Sequence, residues 1–221
     1  MDSTRIHRVL LGPAVKPALW VGCLLPALWL VYAAASSRLG ANPAEALIRS
    51  TGDWTLRMLC AVLSVTPLSR LLGLPALVRL RRMLGLYVYF YAALHLLCYA
   101  GFDMGLDLGD ITRDIAKRPF ILVGFSAFLL LTPLALTSWN GAIRWLGGKR
   151  WQALHRLVYV VAGLAVLHFF WMRAAKHNFA EVQVYASVLG ALLGWRLWRA
   201  VSGRHRNRTA VGRQGRDPGL G

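Results

Sequence analysis

Apolar residues in this chain gather into six long stretches separated by short polar segments. They run over about 19–36, 54–72, 83–101, 120–136, 151–172 and 182–198. Each approaches the ~20 residues that cross a ~30 Å hydrocarbon core as a helix. Each also contains Gly, Pro or Ser, which is ordinary where membrane helices pack together. The pattern predicts an all-α integral membrane protein, a bundle of six transmembrane helices. Composition agrees: with 57% hydrophobic and 16% charged residues and a mean hydropathy of +0.47, the 221 residues carry too little polar surface for a soluble domain.

Charge then orients the bundle. With the first segment inside, the inner segments hold Arg5, Arg8, Lys16, Arg70, Arg79, Arg81, Arg82, Arg144, Lys149, Arg150 and the arginines after Trp195, against only Asp2 and Asp217. The other acids, Glu45, Asp53, Asp103, Asp107, Asp110, Asp114 and Glu181, all fall in outer segments among fewer basic residues. This positive-inside pattern places both termini in the cytoplasm. The formal charge of +17 is then explained by topology and contact with anionic lipid, so nucleic acid is not an expected partner. The expected organisation is a cytoplasmic N-terminal segment at 1–18, a transmembrane domain at 19–201, and a basic, disordered cytoplasmic tail at 202–221. The first stretch has some marks of a signal peptide, including Ala33-Ala34-Ala35, but it is long and interrupted by Trp20, Pro26 and Trp29, so a mature helix is expected.

Smaller features narrow the chemistry. Cys23, Cys60 and Cys98 fall within spans without CxxC spacing and read as small core residues. In the outer connection at 102–118, Asp103, Asp107, Asp110 and Asp114 would line one face of a surface helix, with Asp110 as a candidate cap and Pro119 opening the next span. That face reads as solvated, or alternatively as an acidic docking surface for an outer partner. No internal repeat is visible, and the phosphate-binding glycine patterns, G-x-S-x-G and H-E-x-x-H are all missing. Nucleotide-dependent chemistry must therefore come from another protein.

Three histidines, His95, His155 and His168, lie inside apolar spans, where an ionisable residue is costly and marks a functional candidate. Imidazole is an axial ligand of haem iron. At 1.5 Å per residue His95 sits about 18 Å from the inner boundary, His155 about 6 Å and His168 about 25 Å. Depth therefore pairs His95 with His168 as a bis-histidine haem site in the outer half. His155 and His168 stand roughly 140° apart on a straight helix, so they share a seam only if that helix is distorted, for instance near Gly163. Three roles stay open for His155: ligand of a second haem, partner of a haem propionate, or flavin contact. Tyr87, Tyr91 and Tyr99 around His95, and Phe169, Phe170 and Trp171 after His168, fit a bulky aromatic cofactor, with Ala92, Ala93, Ala162 and Ala165 leaving room for it. Aromatic stripes in membrane helices more often serve packing or the interface. His7, His177 and His205 lie outside the spans or at their ends and read as surface residues.

Several stretches resemble the MsrQ (YedZ) family: Thr66-Pro67-Leu68, Arg81-Arg82-Met83-Leu84-Gly85-Leu86-Tyr87, Tyr91-Ala92-Ala93-Leu94-His95, Asp114-Ile115-Ala116-Lys117-Arg118-Pro119-Phe120, Pro133-Leu134-Ala135-Leu136-Thr137-Ser138, Leu154-His155-Arg156-Leu157-Val158-Tyr159, and Leu167-His168 with Trp171 following. They occur in order across spans two to five. The family belongs to the ferric-reductase-like transmembrane group. The resemblance implies a haem b subunit of the bacterial inner membrane, with one or two haems. Its electrons would reach a periplasmic molybdenum-containing reductase, MsrP, which repairs methionine sulfoxide in proteins. It also implies FMN, and electrons that originate in NAD(P)H and a cytoplasmic flavin reductase. His95, His155 and His168 match the family's haem-associated histidines. The competing reading is a six-span transporter or channel that uses the histidines as a relay; it predicts broken helices or midplane acids, and only Asp53 approaches a span. A bare structural anchor would leave three buried histidines unexplained.

Overall fold

The computed structural model describes residues 12–174 and 179–214, and every regular element among them is a helix. In chain order these are α1 (Val15–Ala35), α2 (Pro43–Leu71), a 3-10 turn (Pro75–Leu80), α3 (Arg81–Cys98), a π turn (Tyr99–Asp103), α4 (Leu108–Lys117), α5 (Pro119–Leu136), α6 (Asn140–Leu146), α7 (Gly148–His155), α8 (Leu157–Ala174) and α9 (Ala180–Gln214). Four segments are long and apolar enough to cross a membrane: Val15–Ala35, Pro75–Asp103, Pro119–Leu136 and Gly148–Ala174. Only 17–28% of each is buried within the protein, and α1 turns Trp20, Val21, Leu25, Leu28, Trp29 and Val31 outward. An apolar exterior of this kind suits lipid. The chain is a multi-pass, all-helical membrane protein.

α2 and α9 are the two long helices outside that set. α2 begins well before the apolar stretch at 54–72, because its first half carries Glu45, Arg49, Asp53 and Arg57. Its start is specified locally: the Asn42 side chain accepts from the Glu45 N–H at 3.1 Å and Pro43 occupies the first turn. α9 runs on to Gln214, past Ser202 where the tail was expected to begin; residues 215–221 of that tail, the N-terminal residues 1–11, including His7, and His177 lie outside the described residues, as does the side chain of His205.

Two hairpins form the frame. α2 lies along α3 and α5 lies along α8, and a buried cluster including Leu59, Leu63, Val88, Tyr91, Val161 and Leu189 ties them to α1 and α9. In lipid this packing acts by close van der Waals contact and hydrogen bonding, since moving apolar groups out of water no longer drives helix association. Proline inside α2 illustrates the hydrogen-bonding part. Pro67 lacks the N–H that would bond the Leu63 carbonyl, and Arg196 of α9 fills that vacancy, donating from Nη2 to Leu63 O at 2.7 Å while Nη1 donates to the Tyr159 hydroxyl at 2.9 Å.

Two local expectations are corrected. The fifth stretch is not one straight helix: it breaks at Arg156, whose N–H turns back to the Ala153 carbonyl at 3.2 Å, and not near Gly163. The cap of α4 is Asp107, whose carboxylate accepts from the Asp110 N–H at 2.9 Å; Asp110 instead pairs with Arg113 at 3.1 Å.

Candidate cofactor-binding site

α3 carries His95 in its last turn and α8 carries His168, and the two imidazoles stand close together with ring centres 6.2 Å apart and planes at 79°. Each ring is fixed by a bond on its far side. His95 Nδ1 donates to the Ile48 carbonyl of α2 at 2.8 Å, and His168 Nδ1 donates to the Phe120 carbonyl of α5 at 2.6 Å. A carbonyl can only accept, so Nδ1 carries the proton in both rings and Nε2 is left with its lone pair. A second bond of this kind is the usual support of a metal-ligating imidazole.

Both rings line a cavity of about 530 Å³, within the range of sites that enclose a small organic molecule. Its inner floor is apolar, with Leu59, Val88, Leu131 and Val161, while Asn42, Glu45, Arg49, Asp103 and Arg118 edge the end expected to face outward. The spacing of the pair tests the fit of an iron between them. An imidazole nitrogen lies ~2.0–2.1 Å from a divalent metal and about 1.1 Å from its own ring centre, so two rings on opposite sides of one ion stand roughly 6.2 Å apart. The observed ring-centre distance of 6.2 Å is compatible with that separation. Two neutral imidazole nitrogens left with lone pairs in one largely apolar cavity are a donor set that would hold haem iron.

The other residues singled out in the sequence divide. Tyr99, Ala92, Ala165 and Phe169 line the cavity. Tyr87 and Tyr91 turn away and donate to the Trp20 and Cys23 carbonyls of α1 at 2.6 and 2.7 Å. Phe170 packs against Phe179, and Ala162 is sealed in the core. The three cysteines are unbridged. His155 stands apart at the other end of the bundle, stacked on Trp151 with ring centres 3.9 Å apart. The Thr137 hydroxyl donates to the Pro133 carbonyl at 2.6 Å, so its 3.2 Å contact with His155 is a bond donated by Nε2–H. His155 therefore carries the opposite tautomer from the pair, with Nδ1 as its acceptor atom.

Sequence reasoning passed over four positions at this site: Ile48 and Phe120, which supply carbonyls, and Gly52 and Gly124, whose Cα atoms lie against the two rings. Backbone carbonyl acceptors leave no trace in residue type. The glycines were the available signal, since glycine inside a membrane helix often marks close approach.

A helical membrane protein with two histidines brought together in one cavity between its helices is the class that fold and site define. Comparison with known proteins agrees: residues 51–166 match the family described as ferric reductase like transmembrane component. The chain is 64% identical over 206 residues to the "Protein-methionine-sulfoxide reductase heme-binding subunit MsrQ" of Polaromonas naphthalenivorans, covering 92% of this chain and 94% of that protein. Its counterparts of the same name in Ralstonia nicotianae and Caulobacter vibrioides are 54% and 44% identical, over 90% and 81% of this chain and 92% and 84% of theirs. No solved structure matches. The chain belongs to the MsrQ family.

Proposed function

We propose that this chain is a haem b electron-transfer subunit of a methionine sulfoxide reductase system in the bacterial inner membrane. Electrons pass from NAD(P)H and a cytoplasmic flavin reductase, across the membrane, to a periplasmic molybdenum-containing reductase, MsrP, that repairs oxidised proteins. The observation that carries this reading is the 6.2 Å separation of His95 and His168, each with Nδ1 held and Nε2 free. The names of its relatives supply the haem and the sulfoxide reductase.

On this reading His95 and His168 would hold the haem iron through Nε2, and the apolar floor would keep water from the site. Arg49 and Arg118 are the cations at the rim that would meet the propionates. Haem supplies reversible one-electron chemistry when bound. All six long helices cross the membrane, with both termini in the cytoplasm, as the charge pattern implies. FMN belongs with the inner end, where Arg81, Arg196 and Tyr159 gather near His155, and the charge there suits a flavin phosphate. His155 is the remaining imidazole for a second haem or for that flavin.

An absorbance spectrum of the detergent-purified chain tests the proposal. A b-type Soret band that sharpens and shifts on reduction is expected, and a purified chain without one, after growth with adequate iron and haem precursor, overturns it.

A further inference from the structure

The two ligand histidines are held by the same device, repeated once in each hairpin. In the first hairpin His95 of α3 lies against Gly52 of α2, and its Nδ1 bonds the carbonyl of Ile48, one helical turn before that glycine. In the second, His168 of α8 lies against Gly124 of α5, and its Nδ1 bonds the carbonyl of Phe120, again one turn before the glycine. The chain separations agree almost residue for residue: 47 from Ile48 to His95 and 48 from Phe120 to His168.

The glycines matter sterically. A Cβ on Gly124 would stand 2.7 Å from His168 Nδ1 and 2.8 Å from its Cε1. A Cβ on Gly52 would stand 3.1 Å from His95 Cε1 and 3.2 Å from its Nδ1. The first contact is impossible without moving the ring; the second is tight but open to a small adjustment. Most other helical glycines differ, and Gly163 in α8 and Gly190 in α9 have no atom within 4 Å of such a Cβ. The carbonyl also already serves as the helix acceptor one turn on, so the ring must come in close over the backbone to share it. At Gly124 only a residue without a side chain permits that approach, and at Gly52 glycine permits it without displacing the ring.

We propose that Gly52 and Gly124 are positioning residues for the cofactor: each forms a notch that lets an imidazole reach the backbone carbonyl one turn away, and so fixes the proton on Nδ1 and the direction of Nε2. This rests on the reading that the pair ligates haem iron, and extends it to two glycines that line the same cavity and act through the imidazoles. The two hairpins are thus equivalent half-sites, each contributing one notch, one carbonyl and one ligand. Loss of an outer partner of a ligating histidine typically weakens metal binding 10–100-fold.

The experiment compares Gly124→Ala, Gly52→Ala and the control Gly163→Ala with the wild-type full chain. The readouts are haem-to-protein ratio, the low-spin electron paramagnetic resonance signal, and the rate of haem loss to excess apomyoglobin. Alanine is the better helix former, so a loss cannot be laid to propensity. Gly124→Ala is expected to speed haem loss roughly 10–100-fold and to shift the low-spin signal. Gly52→Ala should shift the signal with a smaller change in rate, and Gly163→Ala should match wild type. A wild-type low-spin signal left unaltered by Gly124→Ala overturns the proposal alone. A wild-type chain with no low-spin haem overturns the underlying reading and the proposal with it. If Gly124→Ala does not accumulate, Gly52→Ala against Gly163→Ala decides, and equality of those two overturns the proposal.

Discussion

At the residue scale, the three membrane histidines are chemically distinct. His95 and His168 each spend Nδ1–H on a backbone carbonyl and stand close together, whereas His155 spends Nε2–H on Thr137 and stacks on Trp151. If the pair holds haem iron as proposed, removing either member would leave one strong-field ligand where two are needed. His95→Ala and His168→Ala should therefore each lose the low-spin spectrum, while His155→Ala should keep it, with any loss confined to a second haem or to the rate of reduction from the inner side. A wild-type spectrum in either of the first two variants contradicts the pairing. Depth arithmetic made this pair legible in the sequence, because helix rise is nearly constant. The direction of each aromatic was not legible, since it depends on helix rotation and partner. Tyr91 shows this: its ring is fully buried and its hydroxyl holds Cys23 O of α1. Tyr91→Phe should cost about 1 kcal/mol in thermal unfolding and leave the haem spectrum unchanged.

At the element scale, hydropathy found the helices but misjudged where two of them begin and bend. α2 starts at Pro43 because Asn42 and Glu45 cap it, although the polar residues of its first half hide it from a hydropathy window. The break at Arg156 was invisible because nothing in His155-Arg156-Leu157 is a helix breaker; the bonds from Trp151 Nε1 to the Thr137 carbonyl at 2.9 Å and from His155 Nε2 to the Thr137 hydroxyl at 3.2 Å fix α7 to the end of α5 instead. The proline of α2 and the arginine of α9 form a unit that sequence alone does not link. Arg196→Met should leave the Leu63 carbonyl without a donor and cost about 1–3 kcal/mol. In a Pro67→Ala background the restored backbone N–H can take that carbonyl, so the same substitution should cost clearly less. Equal losses of thermal stability in the two backgrounds would show that Arg196 does not serve the proline-freed carbonyl.

At the scale of the whole molecule, the cavity's polar rim lies at the end that bears α4, which the positive-inside pattern predicts to face outward. On the proposed function, a cofactor held there would deliver electrons to a soluble partner outside. The acids of the 103–114 region were read as one face, either solvated or docking. The structure gives them separate duties. Asp107 caps α4, and Asp114 accepts from the Tyr99 hydroxyl at 2.7 Å and from Arg118 at 2.8 Å, so both hold the outer connection in place. Asp110 pairs only with Arg113, and both side chains are well exposed, a contact worth little to stability. Replacing all four acids together would therefore confuse docking with folding. Asp103→Asn with Asp110→Asn separates the two. If carboxylates at this surface steer the outer reductase, reoxidation of the reduced haem by that enzyme should slow as salt rises, and should slow in the double variant at low salt while its haem spectrum and thermal stability stay at wild type. Asp107→Ala supplies the contrast, because loss of a cap should cost about 1 kcal/mol through α4 without a matching change in salt dependence. Stopped-flow reoxidation across a salt series, identical for wild type and the double variant, would remove these two acids from the docking surface and leave the haem assignment untouched.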